Sequence, residues 1–357
     1  MGYFKILIKN GNLFDGYNFC GKKDVFIADG KIQKIGDKLT DTADFTFDVD
    51  GKIISPGFVD IHTHILGVSH SNLGTSADGS TFPFGVTTAV DCCSEFGDRS
   101  FLEALQTKIF AFVPVWIKNG LPDFKTAENL INKYGDRTLG VKAYFDLTVS
   151  RDVSITNLKK ICDFAHTKGL KVMVHCSHSP STMYEIIDIL SKGDILTHIY
   201  HGDNNTCLSD DCSVFRLAKE KGIVMDTGFA GHVHTDFDVL KSATSNGYYP
   251  DTISTDITNL SAFIRGGNYG LTLCMSVCKH FGMSEAEVLR AVTSSAGLAI
   301  GKSELGTIEV GKTADVAVIN YETAPFDFSS FTANGIKGDM GYKCYLTVSN
   351  GQIVYKV

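Results

Sequence analysis

This 357-residue chain has no excess of basic residues: 33 Lys and Arg stand against 40 Asp and Glu, a formal net charge of −7. A general nucleic-acid binder needs the opposite balance to meet phosphates, so no nucleic-acid partner is expected. No apolar run approaches the ~20 residues that span a bilayer, so no membrane partner is expected either. Met1-Gly2-Tyr3-Phe4-Lys5-Ile6 shows neither the apolar segment of a signal peptide nor a Ser or Thr at position 6 for myristoylation, and the expected location is the cytoplasm. Gly-rich phosphate loops of the P-loop or dinucleotide type are missing, so no nucleotide cofactor is implied. Ten cysteines are present, but no two have C-x-x-C spacing. That spacing disfavours a thiolate zinc site and fits reduced, buried thiols. What is present is 43% hydrophobic and 20% charged, a globular composition that excludes disorder, collagen and coiled coil. The length suits two domains, or one barrel of about 250 residues with an attachment.

The two ends of the chain are alike and the middle differs. Strand-like runs at 4–9, 24–28, 31–35 and 45–49 are punctuated by Asn10-Gly11, Asp29-Gly30 and Asp50-Gly51. Runs at 315–320, 345–348 and 352–355 enclose Asn350-Gly351. Asn-Gly and Asp-Gly between apolar runs signal hairpin turns. Neither end has strands enough for an independent sheet, so residues 1–55 and 308–357 are expected to assemble one small composite β-sandwich domain. Between them, residues 56–307 alternate strand-like and helical stretches. The strand candidates are 58–64, 87–92, 108–116, 139–147, 170–176, 194–201, 223–227 and 252–257. Several are near-continuous in Val, Ile, Phe and Ala, as strands buried on both faces are. Apolar stripes at helical spacing occupy 155–168, 181–191 and 214–221, and a helix over 284–296 opens with Glu285 and Glu287. The expected fold class is α/β, a (β/α)₈ TIM-type barrel, and its chemistry is expected at the C-terminal ends of the strands.

Those ends carry chemistry-bearing side chains. His62 and His64 alternate with Thr63, so both face one side of the first strand, a chelating pair for a divalent ion. The fifth strand runs Val172-Met173-Val174-His175, and the sixth carries His198. His201 falls three residues later and begins the loop. The eighth ends in Asp256. Lys142 interrupts the apolar fourth strand, where desolvation disfavours the ammonium form. A neutral amine there can take up CO₂ as a carbamate, an anionic ligand able to bridge two metals. Asp91-Cys92-Cys93, at the second strand tip, reads as core and rim.

Taken in barrel order, His62, His64, Lys142, His175, His198 and Asp256 resemble the site of the amidohydrolase superfamily, in its binuclear branch with a carbamylated lysine. Ser55-Pro56-Gly57-Phe58-Val59-Asp60-Ile61-His62-Thr63-His64 looks like its strand-one signature. Phe84-Gly85-Val86-Thr87-Thr88 looks like its strand-two entry, and residues 305–315 like its return into the β domain. Residues 193–198 and 251–256 resemble the dihydroorotase-related amidohydrolase/deacetylase group. The loop Asp226-Thr227-Gly228-Phe229-Ala230-Gly231-His232-Val233-His234 departs from that group's pattern, and so does the loop after His198.

The resemblance implies two divalent ions, zinc before manganese, iron or nickel. His62, His64 and Asp256 would hold the more buried ion, His175 and His198 the more exposed one, and carbamylated Lys142 would bridge them. Metal-bound hydroxide would attack the amide carbonyl, with Asp256 as general base and then acid. The implied activity is hydrolysis of an amide bond in a small, carboxylate-bearing substrate, deacetylase- or deacylase-like. Alternatives are a cyclic amidase of dihydroorotase or hydantoinase type, an isoaspartyl dipeptidase or an aminoacylase. A contrasting class is a catalytically inactive barrel used for binding, which the full ligand set argues against. Arg265 and Arg151 are candidates to meet a substrate carboxylate, and His201, His178, His232 and His234 to line the pocket. Relatives commonly form homo-oligomers.

Overall fold

The computed structural model describes residues 3–65, 74–92, 99–230, 234–264, 269–328 and 336–357. Its first sheet joins both ends of the chain. From the N-terminal side come β1 (Ile6–Phe14), β2 (Phe19–Ala28), β3 (Lys31–Gly36), β4 (Phe45–Asp48) and β5 (Ile53–Pro56). The barrel strands follow as β6 (Phe58–Thr63), β7 (Val86–Asp91) and β8 (Lys108–Val115). After a short ribbon, β9 (Ile117–Lys118) and β10 (Leu121–Pro122), come β11 (Thr138–Tyr144), β12 (Lys171–His175), β13 (Ile195–Thr197) and β14 (Val224–Asp226). β15 (Val316–Phe328), β16 (Ile336–Ser349) and β17 (Gln352–Lys356) complete the chain.

The terminal sheet has the order β17-β16-β15-β5-β1-β2-β3, with β4 also pairing β1. The two chain ends meet where β15 runs antiparallel to β5, from Val316 opposite Pro56 to Ile319 opposite Ile53. Ile8, Ile27, Val316, Val318 and Leu346 fill a core of its own, drawn from both ends. Asp29-Gly30 and Asn350-Gly351 form two-residue turns, all four residues at positive φ. That backbone matches the twist of the flanking strands, which is why these dipeptides make hairpins.

Two of the expected hairpin turns are not hairpins. β1 continues through Asn10-Gly11, and its register with β2 shifts between Ile8 and Gly11, a bulge. A Cβ at residue 11 would collide with the Ile54 side chain, so glycine lets β5 approach β1. Asp50-Gly51 joins β4 to β5, which both run parallel to β1.

The second sheet is parallel, in the order β14-β13-β12-β11-β8-β7-β6. Every residue of β6 and β7 is buried, the polar Asp60, His62 and Asp91 together with the apolar Phe58, Val59, Ile61, Val86, Ala89 and Val90. Seven of the eight expected strands form. The eighth segment makes only two bridges, Asp226 with Thr252 and Thr63 with Ile257, but they link it to both sheet edges and close the ring. Asp256 has φ 46°, which interrupts a regular ladder there. The Asp256 N–H nevertheless donates to the His62 carbonyl at 2.7 Å, and the His64 N–H to the Ile257 carbonyl at 2.9 Å.

The surrounding helices start where their caps dictate. Ser154 accepts from the Asn157 N–H at the start of Ile155–Thr167. Capping boxes pair Thr182 with Glu185 ahead of Met183–Ile189, and Ser284 with Glu287 ahead of Glu285–Val292. The expected helix over 284–296 is two helices, broken at Thr293 and resumed as Ser294–Ala299. The two sheets are joined by Lys108, whose Nζ contacts both oxygens of Asp315 at 2.6 Å, while Asp315 also accepts from the Asn350 N–H. Among the described residues nine cysteines are free, Cys20 exposed and eight buried. No helix among them is long and apolar enough to cross a membrane.

Candidate metal centre

Six side chains from five barrel segments converge at the C-terminal end of the ring. His62 lies on β6 and His64 just beyond it, with ring centroids 5.7 Å apart. Asp256 reaches both: its Oδ1 lies 2.9 Å from His64 Nε2 and 3.2 Å from His62 Nε2. Lys142, fully buried on β11, brings Nζ to 2.9 Å from His62 Nε2. His175 ends β12, and its ring centroid is 4.3 Å from that of His198, just past β13. His198 is 5.1 Å from His62 by the same measure. His198 and Asp256 both occupy the left-handed region, φ 69° and 46°. That region is uncommon for any residue but glycine, and such outliers cluster at functional sites.

Hydrogen bonds fix which ring nitrogens face the centre. Thr197 Oγ donates to Asp226 Oδ2 at 2.7 Å and stands 3.0 Å from His62 Nδ1. With its proton committed to the carboxylate, the Thr197 oxygen accepts from His62 Nδ1–H, leaving Nε2 with the lone pair. Ser254 and Thr252 hydroxyls donate to the same carboxylate at 2.7 and 2.8 Å. His198 Nδ1 lies 2.8 Å from the Gly228 carbonyl oxygen and donates to it, so its Nε2 is the free acceptor. Asp60 ties β6 to the eighth segment by accepting from the Thr255 N–H and hydroxyl at 3.1 and 2.6 Å.

Burial pushes the imidazoles of His62, His175 and His198 below their ordinary value, which keeps them neutral, as ligands must be. Burial also pushes Asp256 upward, but the facing imidazoles of His62 and His64 outweigh it and hold the carboxyl well below the usual carboxylate range. Burial raises Asp226 to about 6 and Asp60 to about 7, against the hydrogen bonds that stabilise their charged forms.

Two groups of three side chains offer ligand atoms within 4.8 Å of one another: His62, His198 and Asp256, and His175, His198 and His234. His198 Nε2 is buried and has no hydrogen-bond partner among the described residues; it faces Asp256 Oδ2 at 4.0 Å. An acceptor stranded this way is costly in a folded chain. Neutral imidazoles with a carboxylate form a donor set suited to zinc and related divalent ions. These residues therefore fit a metal ion.

The cavity above them holds about 540 Å³. His64, His175 and Asp256 form part of its lining, with Trp116, Tyr144 and Leu260 among its apolar walls. Trp116 and Tyr144 stack at 4.8 Å and 4°. His178 lines this cavity, with Nε2 3.2 Å from Asp203. Two other candidates lie outside its lining. Arg151 is exposed on a turn and does not line the cavity. His201 is buried away from it: the chain turns after His198, and Nδ1 packs 3.6 Å from Asp203. Arg265 and His232 lie outside the described residues. Asp146 was not singled out from sequence, yet it is buried in the lining, 3.0 Å from His175 Nε2. Its place directly after a lysine-bearing strand was the available signal.

Residues 53–354 match the amidohydrolase family model. The chain belongs to the amidohydrolase family. As an amidohydrolase it is a hydrolase of carbon–nitrogen bonds. It is 28% identical to a deacetylase of Agrobacterium fabrum over 338 residues, 87% of this chain and 81% of that protein. It is 39% identical to a dihydroorotase of Listeria monocytogenes over 249 residues, 68% of this chain and 53% of that protein. A solved dihydroorotase structure superposes with a TM-score of 0.85 at 24% identity, covering 98% of each chain, and so shares the amidohydrolase fold.

Proposed function

We propose that this amidohydrolase is a metal-dependent deacylase that cleaves a linear amide in a small substrate. His62, His64 and Asp256 would hold one divalent ion, and His175 and His198 a second. Lys142, carried as its carbamate, would lie between them. Zinc best suits these donors. Bound ions of this kind bring the pKa of water from ~15.7 toward ~7 and polarise a carbonyl. The observation carrying the reading is the shared carboxylate of Asp256, within 3.2 Å of the imidazoles of His62 and His64 and facing the unpartnered nitrogen of His198.

The chain's own groups do the proton work. Asp256, held ionised, accepts the proton of the attacking water on a carboxylate oxygen and returns it to the leaving nitrogen. Thr197 keeps the His62 Nε2 lone pair turned inward. Trp116, Tyr144 and Leu260 exclude water beside the scissile bond. The deacetylase relative supports the linear-amide reading, since it matches more of both chains than the dihydroorotase does. The dihydroorotase relative favours a cyclic amidase as the second reading.

A substrate panel decides between them. Chelator-treated protein is reloaded with Zn²⁺ in bicarbonate and offered N-acetyl and longer N-acyl amino acids, dihydroorotate, hydantoins and β-aspartyl dipeptides. Metal-dependent turnover is expected with the linear acyl amides. Turnover confined to the ring substrates would replace the deacylase with a cyclic amidase, and none after metal removal and reloading would reject both.

A further inference from the structure

His234 has no part in the ligand sets just given, yet its ring is packed into them. Its centroid lies 4.7 Å from that of His175 and 4.4 Å from that of His198. The ligand atoms these three rings offer lie within 4.8 Å of one another. Among the described residues no hydrogen bond joins the rings directly. Instead, Ser177 Oγ stands 2.6 Å from His175 Nε2 and 3.0 Å from His234 Nδ1, tying the two together. His198 uses Nδ1 on the Gly228 carbonyl and keeps Nε2 unpartnered.

His175 Nε2 also lies 3.0 Å from Asp146 Oδ2, so within this trio the buried nitrogen left without a partner is His198 Nε2. The Lys142 amine lies 2.9 Å from His62 Nε2. A divalent ion would take the lone pairs, and three histidines are a donor set with which zinc still keeps a further position free.

We propose that His234 is a protein ligand of the outer divalent ion, which His175, His198 and His234 hold together as a three-imidazole site. The inference rests on the two-ion reading above and adds a ligand to it. It also makes retention of the outer ion less dependent on the Lys142 carbamate.

The test counts metal. Wild type, His234→Ala and His234→Gln are loaded with Zn²⁺ and dialysed. Metal per chain is measured by mass spectrometry, and affinities by chelator competition. Wild type is expected to hold two ions. Each variant should keep the inner ion and bind the outer one roughly 100-fold more weakly or worse, beyond the ~10–100-fold cost of losing only a supporting partner. Circular dichroism and thermal unfolding report whether the variants fold. The wild-type chain provides a second readout that needs no variant: in ¹⁵N-histidine spectra the His234 ring should shift with the second equivalent of Zn²⁺. Folded variants that hold both ions at wild-type affinity overturn the proposal, whatever happens to turnover. So does a His234 signal unmoved after two equivalents. A wild-type chain that holds fewer than two ions overturns the two-ion reading itself.

Discussion

Thr197 Oγ stands 3.0 Å from His62 Nδ1 while donating its own proton to Asp226. The contact spans 135 positions of sequence and sets which imidazole nitrogen carries the lone pair toward the centre. Replacing the hydroxyl by a methyl of the same shape removes the acceptor. Thr197→Val should weaken Zn²⁺ binding by ~10–100-fold, as loss of such a partner does in metal sites. Thr197→Ser should restore most of it. Chelator competition on the two variants checks this, and equal affinity in Thr197→Val and wild type would refute the orienting role.

Asp256 is the group assigned to move the proton. Asp256→Asn keeps the shape and removes the basic oxygen. Its kcat is expected to fall by at least ~10²-fold. The comparison must use variant and wild type with equal measured metal content, because Asp256 is also an expected ligand. Full turnover at equal loading would transfer the proton role elsewhere.

Acid sensitivity of the metal-free chain follows from buried groups. Burial lowers His62, His175, His198, His201 and His234, the last two to about 4 and about 3. An imidazole with a lowered folded-state pKa is protonated first in the unfolded chain, so stability is lost as pH falls below ~6.5. Asp60 and Asp226 oppose this, since their raised values of about 7 and about 6 favour the folded chain at low pH. The lowered imidazoles outnumber the raised carboxylates, so unfolding is expected to take up protons below ~6.5 and stability to fall as the pH is lowered. Urea unfolding of the metal-free protein at pH 5, 5.5 and 6 measures that fall. A flat or rising stability on acidification would mean that the cluster is already protonated when folded.

Lys108 and Asp315 join the barrel to the terminal sheet. Asp315→Ala leaves the amine and the Asn350 N–H without their acceptor and should cost about 1–3 kcal/mol. Denaturant melts measure this. Asp315→Asn should recover part of the loss. A change below about 0.5 kcal/mol would mark the pair as an ordinary surface contact.

Several features of the site were legible in the chain itself. A period of two put His62 and His64 on one side of β6, because strand geometry leaves no other choice. Lys142 and His175 stood out because an apolar strand buried on both faces rarely contains a polar residue without a use. Eight repeats of strand and helix implied the ring, and the last segment closed it with two bridges.

Other features depended on distance and loop path, which periodicity does not encode. Asn10-Gly11 and Asp29-Gly30 carry the same local signal, but Ile54 of β5 lies against residue 11 and makes the first a bulge. His201 and His234 looked alike as loop histidines, yet one chain turn buries His201 beside Asp203 and another brings the His234 ring against those of His175 and His198. The tautomer of His62 depends on Thr197 and Asp226, two residues with no distinctive pattern of their own. Local sequence determined which residues stand at strand tips, through alternation and the cost of burying polar groups. Which nitrogen, carboxylate and hydroxyl then meet was decided only by ring closure, because those contacts join segments more than a hundred residues apart.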